Sequence, residues 1–411
     1  MESTPRGIRI DKMKKIMILG ASILQLPAIK KALSMGLCPI VVDMNPDAIG
    51  FKEPKVVKEV ISTIDTEGIL SAAEKHHIDG IMTLATDMPM RSVAVVAHKM
   101  GLVGISEDCA FKATNKAAMR NALKSADVPI PLFFKVSSLD ECRDAVRHIT
   151  EKGYKCITKP VDSSGSRGID LLKDYSEESV VNAYTYSNQN SRTGEVMVEE
   201  FMEGPEVSVE TIAIGGEVHV LQITDKITTG APYFVEMGHT QPSSLQVDIQ
   251  KKIMKVAIAA NKAIGITNGP SHTEIKVTKD GPKIVELGAR MGGDCITTHL
   301  VPLSTGIDMV KCCIQIAIGD IPDLKPKFSK GSAIRYFKQP LGKIKSIEGV
   351  DEIKNMPGVY EVDIVHGVGE TVGEVKGSGD RIGFVIAQSD NSDLAAKEAD
   401  AACSRLRVQT L

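Results

Sequence analysis

Tryptophan is absent from the 411 residues, and aromatic side chains make up only 4% of them. A surface that stacks the bases of single-stranded nucleic acid needs such rings. The 49 basic and 52 acidic residues give a net charge of −3, which makes no electrostatic case for a nucleic-acid or membrane partner. Eight cysteines (38, 109, 142, 156, 295, 312, 313 and 403) form neither a C-x-x-C pair nor a disulfide framework, and read as reduced, small, buried hydrophobes. No apolar run is long enough to span a bilayer, and the opening Met-Glu-Ser-Thr-Pro-Arg lacks the apolar stretch of a signal peptide. The expectation is a cytoplasmic protein of two to four domains that acts on small molecules, with a homodimer compatible with everything so far.

Two phosphate-binding fingerprints are also missing. The turn Gly20-Ala-Ser-Ile-Leu-Gln lacks G-x-G-x-x-G, although Asp43 stands where a ribose-binding acid would, so a dinucleotide oxidoreductase is disfavoured. The Gly/Ser-rich run Ser163-Ser-Gly-Ser-Arg-Gly168 lacks the Gly-Lys-Ser/Thr of a Walker A loop.

What is present centres on His272–Gly293. Thr273–Val277 and Lys283–Leu287 are two short β-rich runs separated by Lys-Asp-Gly-Pro, a hairpin signal. An odd-numbered loop centred on Asp280 puts Glu274 opposite Glu286; a two-residue Asp-Gly turn puts Glu274 opposite Leu287. Facing carboxylates repel one another. A divalent cation converts that repulsion into a site, and two carboxylates with no third acid nearby in sequence suit Mg²⁺ completed by substrate phosphates. Arg290, followed by Gly292-Gly293, adds a guanidinium beside open backbone that is suited to charge on a transferring phosphoryl group.

Upstream, Lys15–Gly20, Pro39–Asp43, Gly80–Leu84 and Val103–Ile105 read as strands alternating with helices over 25–35, 64–76 and 90–100. That pattern makes a parallel, doubly wound sheet. A helix capped by Thr114 or Asn115 carries Lys116, Arg120 and Lys124 on one face; the face is either solvated or offers Lys116 to a phosphate. The strand Cys156–Pro160, with Lys159, leads into the Ser/Gly loop, whose N–H groups can fold over phosphates. Glu199, Glu200 and Glu206 are edge-strand charges or acceptors for ribose hydroxyls next to a backbone that reads adenine. Thr228–Ser244, with His239, reads as a long irregular lid, and Pro322–Lys330 as a linker.

Four motifs in this order resemble the ATP-grasp superfamily: Asn115-Lys116 through Arg120, Thr158-Lys159-Pro160 with its loop, Glu199-Glu200-Phe201 through Glu206, and His272-x-Glu274 through Glu286-x-x-x-Arg290. The resemblance implies ATP and Mg²⁺, with Mn²⁺ an alternative, and carboxylate–amine ligation through an acyl phosphate. By the same resemblance Lys116 and Lys159 meet nucleotide phosphates, and Ser163, Ser164, Gly165, Ser166 and Gly168 cover them. Glu199, Glu200 and Phe201 form the adenine hinge, Glu206 takes the ribose, Glu274 and Glu286 hold metal, and Arg290 steadies the transition state. Gly288 departs from the pattern, since many relatives carry Asn there as a further metal ligand. Gly238-His239-Thr-Gln-Pro, Glu-Leu-Gly-Ala-Arg-Met-Gly-Gly-Asp-Cys-Ile and the segment after Gly331 resemble the dipeptide-forming L-amino acid ligases. In those enzymes the matched His239, Arg290 and Gly293 line the amino-acid carboxylate site.

The expected architecture is an α/β doubly wound domain (1–112), an α+β ATP-grasp domain (113–330) and a small α+β terminal domain (331–411). The ATP-grasp domain divides into a small subdomain at about 125–200 and a large one at about 201–330. The rivals are a purine-pathway ATP-grasp ligase acting on a phosphoribosyl substrate, and a nucleotide-binding protein that has lost catalysis.

Overall fold

The computed structural model describes residues 13–411 except 164 and 166, so the expectations for Ser164 and Ser166 lie outside the described residues. Strands β1 (Lys15–Leu19), β2 (Cys38–Val42), β3 (Val57–Glu59) and β4 (Gly80–Thr83) pair in parallel in the order β3-β2-β1-β4. Parallel strands covered on both faces need apolar side chains at every position, which is why β1, β2 and β4 read as unbroken hydrophobic runs. The strand expected at Val103–Ile105 does not form. Gly101, left-handed at φ 65°, ends the helix Met90–Met100 and turns the chain back, so that Leu102 N–H bonds the Ala97 carbonyl (2.8 Å) instead of a sheet neighbour.

The small subdomain is an antiparallel sheet of β5 (Phe133–Val136), β6 (Cys156–Pro160), β7 (Asp170–Leu171) and β8 (Val196–Glu200), in the order β5-β8-β6-β7. Two helices, Leu139–Glu151 and Glu177–Gln189, start on the serine caps Ser138 and Ser176 and cover it. Its core, with Cys142, Val146, Ile149 and Val198, shares no residue with its neighbours' cores.

Strands β9 (Glu206–Ile214), β10 (Glu217–Thr228), β11 (Glu236–Gln241), β12 (Gly269–Thr278), β13 (Gly281–Gly288) and β14 (Gly331–Tyr336) belong to an eight-stranded sheet. Beyond β15 (Gly342–Glu348), the strands β16 (Val359–Ile364), β17 (Thr371–Val372), β18 (Gly383–Ser389) and β19 (Arg407–Thr410) complete the chain. The large sheet runs β13-β12-β9-β10-β11-β14-β18-β16, passing without a break from β11 into the terminal segment, while β15 pairs β17 and β19 separately. The helix Val247–Ile264 buries Ile253, Ala257 and Ile264 in one core with Met17 and Ile40 of the first sheet and Ile275, Ile284 and Leu287 of the hairpin. The first domain and the hairpin are therefore packed as one body. Among the described residues no single helix is long and apolar enough to cross a membrane.

The run Thr228–Ser244 is not irregular throughout, because β11 occupies its middle and carries His239. Glu-Met-Gly-His-Thr-Gln has weak strand propensity. It is extended because β10 and β14 pair with it on either side, and pairing of that kind overrides local preference.

Candidate active site

The hairpin β12–β13 turns on two residues, Lys279 and Asp280, with Thr278 opposite Gly281. Regular pairing from that turn would miss a Glu274–Glu286 match, but the register shifts by one between Glu274 and Ile275, leaving Val285 as a bulge. Glu274 then faces Glu286 directly. The register centred on Asp280 therefore holds from His272 to Glu274, while the turn itself is formed by two residues and not by an odd-numbered loop.

Each carboxylate has a lysine. Lys226 of β10 reaches Glu274 at 2.8 Å, Glu206 at 2.7 Å and Glu236 at 3.4 Å, and Lys116 reaches Glu286 at 2.8 Å. Burial pushes the Lys226 ammonium down, but Glu274, Glu206 and Glu236 reverse this and leave it well above the ordinary lysine value. Burial likewise raises Glu274, and Lys226 and His272 overcome it, holding the carboxyl well below its usual range. The expectation of no further acid near the pair is corrected, because Glu206 and Glu236 converge through Lys226 from other strands. Among the described residues no cluster of three or more His, Cys, Asp or Glu has metal-binding geometry. Glu274 and Glu286 are hard oxygen donors of the kind Mg²⁺ prefers, already balanced by cations, and they fit a divalent ion completed by ligand oxygens.

The basic helix face is corrected in the same way. Asn115 caps the helix Lys116–Ser125, and Lys116 and Arg120 are buried, not solvated. Arg120 donates to both oxygens of Glu199 (2.7 and 3.1 Å) and to the carbonyl of the bulged Val285 (2.7 Å). Lys159 meets the other side of Glu199 at 2.5 Å. Burial raises the Glu199 carboxyl, but Arg120 and Lys159 win and bring it down to about 2. Burial pushes Lys159 down, with Arg120 and Lys116 assisting and Glu199 opposing. Glu200 is engaged on the opposite face of β8, by Lys283 (2.9 Å) and the Leu132 N–H (3.1 Å). The acids of β8 are thus central-strand anchors and not edge charges. Lys116 also donates to the Ser163 carbonyl (2.6 Å), tying the Ser/Gly loop to Glu286 of the hairpin.

One cavity of about 1520 Å³ lies between the small subdomain, the hairpin, the first domain and the terminal segment. Lys159, Gly165, Glu199, Glu200, Phe201, Glu206, His239, Glu274, Glu286, Arg290 and Gly293 all line it. Of the remaining described candidates, Lys116 reaches it through Glu286, whereas Ser163 and Gly168 stand outside its wall. Gly168 has a local reason to be glycine: its φ is +77° and a Cβ would fall 2.6 Å from Pro160 Cγ. Phe201 and Phe234 both line the cavity and touch each other at a tilt, ring centroids 6.0 Å apart and planes at 44°, which makes one apolar stretch of wall.

His239, opposite Lys226 in the pairing of β10 with β11, is buried. Its Nε2 lies 3.4 Å from Asp294, and its Nδ1 has no partner. Asp294 is gripped by both Nη atoms of Arg381 (2.9 and 2.8 Å), and the Arg381 guanidinium stacks 3.6 Å over Tyr336. His272 Nδ1 bonds Glu210 at 2.7 Å; burial lowers its imidazole, and Glu210 more than compensates, raising it to about 9. Asp87, Glu210, Lys226, Asp294 and Arg381 were missed from sequence. Each sits on a different element from its partner, so no spacing rule could link them.

Comparison with known proteins agrees with this geometry. The ATP-grasp domain family matches residues 152–298, and the second type of L-amino acid ligase C-terminal domain matches residues 335–410. The chain is 29% identical over 282 residues to the alanine–anticapsin ligase of Bacillus subtilis, covering 62% of this chain and 58% of that one. It is 26% identical over 343 residues to the phosphoribosylamine–glycine ligase of Methanocaldococcus jannaschii, covering 77% and 74%. The crystal structure of the L-amino acid ligase from Bacillus licheniformis has the same fold, with a TM-score of 0.83 at 22% identity over 97% of this chain and 99% of that one. The chain carries the ATP-grasp domain of a class of ligases that form C–N bonds and bind ATP with Mg²⁺. More narrowly, it joins an ATP-grasp domain to the C-terminal domain of the L-amino acid ligases.

Proposed function

We propose that the protein condenses the carboxylate of one amino acid with the amine of a second, giving a dipeptide, ADP and phosphate. The observation that carries this reading is the shared cavity, whose wall holds facing Glu274 and Glu286, Glu206 and Glu236 joined to Glu274 through Lys226, His239 and Arg290. A carboxylate is a poor acyl donor at neutral pH. An oxygen of the acyl substrate displaces ADP from the γ-phosphorus, the incoming amine then displaces phosphate from the acyl carbon, and the nitrogen gives up a proton.

Glu274 and Glu286 are the residues that would hold Mg²⁺, which when bound neutralises the phosphates and leaves the γ-phosphoryl open to attack. Lys159, buried against Glu199, supplies a fixed cation beside the Ser/Gly loop, and Lys116 holds that loop to Glu286. Phe201 and Phe234 give the base one apolar wall, and Glu206 takes the ribose. His239, in the cavity wall, stands by the substrate carboxylate. Arg290 stabilises charge on the transferring phosphoryl and then on the tetrahedral acyl centre. The walls supplied by four parts of the chain keep water from hydrolysing the acyl phosphate.

The similarity to phosphoribosylamine–glycine ligase suggests a second reading, a phosphoribosyl substrate. Such a substrate needs free N–H donors in the turn after β1. There, Ala21 N–H is taken by the Asp43 carboxylate (2.8 Å) and Ser22 N–H by the Gln25 side chain (3.3 Å). A phosphate at these two donors would have to displace a carboxylate and an amide, which favours amino acids. ADP release measured with pairs drawn from the twenty L-amino acids, against glycinamide and aminoimidazole ribonucleotides, with mass spectrometry of the product, tests this. Turnover with a ribonucleotide and none with amino acids would reject the dipeptide reading.

A further inference from the structure

Arg290 does not stand alone. Its Nε donates to Asp87 Oδ1 at 2.9 Å and its Nη2 to Asp87 Oδ2 at 3.1 Å, a two-pronged grip; its Nη1 has a longer bond to the Met291 carbonyl, 3.3 Å. Asp87 comes from the first domain, 203 residues earlier, on the turn that follows β4. That turn is held in shape by Ala85 in a left-handed conformation (φ 59°) and by buried Gln25, whose amide bonds the Leu84 carbonyl at 2.6 Å. Asp87 and Arg290 both line the cavity, and both side chains are mostly buried, 18% and 17% exposed. The same contact accounts for Gly288. A Cβ there would lie 2.8 Å from Asp87 Oδ1 and 3.1 Å from the Arg290 guanidinium carbon, so the pair fills the space a side chain would need.

We propose that Asp87 is a positioning residue: it fixes the Arg290 guanidinium in one orientation at the cavity wall, and Gly288 is glycine to admit that pair. This rests on the reading of Arg290 as the charge-stabilising group. A guanidinium has five N–H donors on a flexible stem, and a fork-to-fork carboxylate removes most of its rotational freedom. Here Nε and Nη2 are committed to Asp87, which leaves the Nη1 edge as the part with capacity to serve a ligand. The working orientation is therefore assembled only where the first domain meets the end of β13.

The test uses the full chain. In the ligand-free enzyme the Nε–H resonance of Arg290, assigned by its loss in Arg290→Lys, is expected to be shifted and slow to exchange. In Asp87→Asn it should move toward the position of a solvent-exposed arginine. A resonance unmoved in Asp87→Asn overturns the proposal whatever the activity. Phosphate release is then measured with Mg²⁺, ATP and an equimolar mixture of the twenty L-amino acids. Asp87→Asn should lower kcat by about 10²-fold with KM for ATP within about threefold, the scale of a misplaced group near the chemistry. The same substitution made on Arg290→Ala should cost nothing further; additive losses would mean Asp87 acts by itself, and the proposal falls. A merely structural ion pair would lower thermal stability and leave kcat intact. Gly288→Ala should be at least about tenfold more damaging in the wild type than in Asp87→Ala, and equal costs would refute the account of Gly288. If Arg290→Lys turns over normally, the reading of Arg290 fails, while the resonance still decides whether Asp87 holds it.

Discussion

Replacing Arg120 by methionine should destabilise the protein by about 3–5 kcal/mol, the cost of breaking a buried ion pair from one side. Glu199 is almost wholly buried, and although burial raises its carboxyl, Arg120 and Lys159 bring it down to about 2, so the charge stays buried only while both cations are in place. Arg120 supplies two of the hydrogen bonds to that charge and Lys159 the remaining ion pair. Methionine keeps the volume but abandons both Glu199 oxygens to Lys159, and it frees the Val285 carbonyl, worth about 1 kcal/mol more. The pH dependence has a definite sign. A carboxyl depressed in the folded state contributes stability that is fully present above its unfolded value and lost as pH falls through its folded value. The wild type should therefore lose this contribution between pH 4.5 and about 2, and Arg120→Met should lose less over the same window, having less to lose. Urea unfolding followed by far-UV circular dichroism at pH 7 and at intervals below pH 5 measures both effects. A loss under about 1 kcal/mol at pH 7 would refute the claim that this pair, and not the surrounding apolar packing, holds the helix Lys116–Ser125 to β8.

Other expectations concern activity. Glu286→Gln should abolish ligation, by at least about 10²-fold, with unchanged far-UV circular dichroism; normal turnover at saturating Mg²⁺ and ATP would remove the metal assignment. Lys159→Met should weaken ATP binding about 10- to 100-fold by calorimetry, the worth of a charge-assisted hydrogen bond of about 1.5–3 kcal/mol, and unchanged affinity would return the Ser/Gly loop to an ordinary connection. Arg290→Lys should keep ATP affinity but lose about 10²–10³ in single-turnover ADP formation; a rate within a few-fold of wild type would leave it a structural charge.

The fold class, the hairpin and the cap at Asn115 were legible in the sequence because each depends on residues close together in the chain. Asn115 caps its helix by accepting from the N–H three residues on, and such signals travel with the sequence. The facing of Glu274 and Glu286 was only half legible. Which residues turn and whether a bulge restores register depend on β9, which pairs β12 from the far side, and on Arg120, which takes the Val285 carbonyl. The burial of the basic helix face could not be read at all, because the carboxylate that draws Arg120 inward lies 79 residues away. Lys226 and Asp87 were hidden for the same reason, their partners being 48 and 203 residues distant.

The unbroken pairing of β11 with β14 bears on how such enzymes can be cut and recombined. A chain stopped before Gly331 would leave the strand that carries His239 as a naked edge, with its row of backbone donors and acceptors open to any passing strand. It would also lose Arg381, leaving Asp294 in its left-handed turn with only His239 for company. The terminal segment is in this sense a selvedge, the finished border without which the woven sheet frays, and not an appendage. Grafting a terminal segment from a relative would replace the border strand and the cavity wall together. Exchanges made at Pro322–Lys330 should therefore carry substrate preference with them, and deletions at the same point should yield aggregates and not a smaller enzyme.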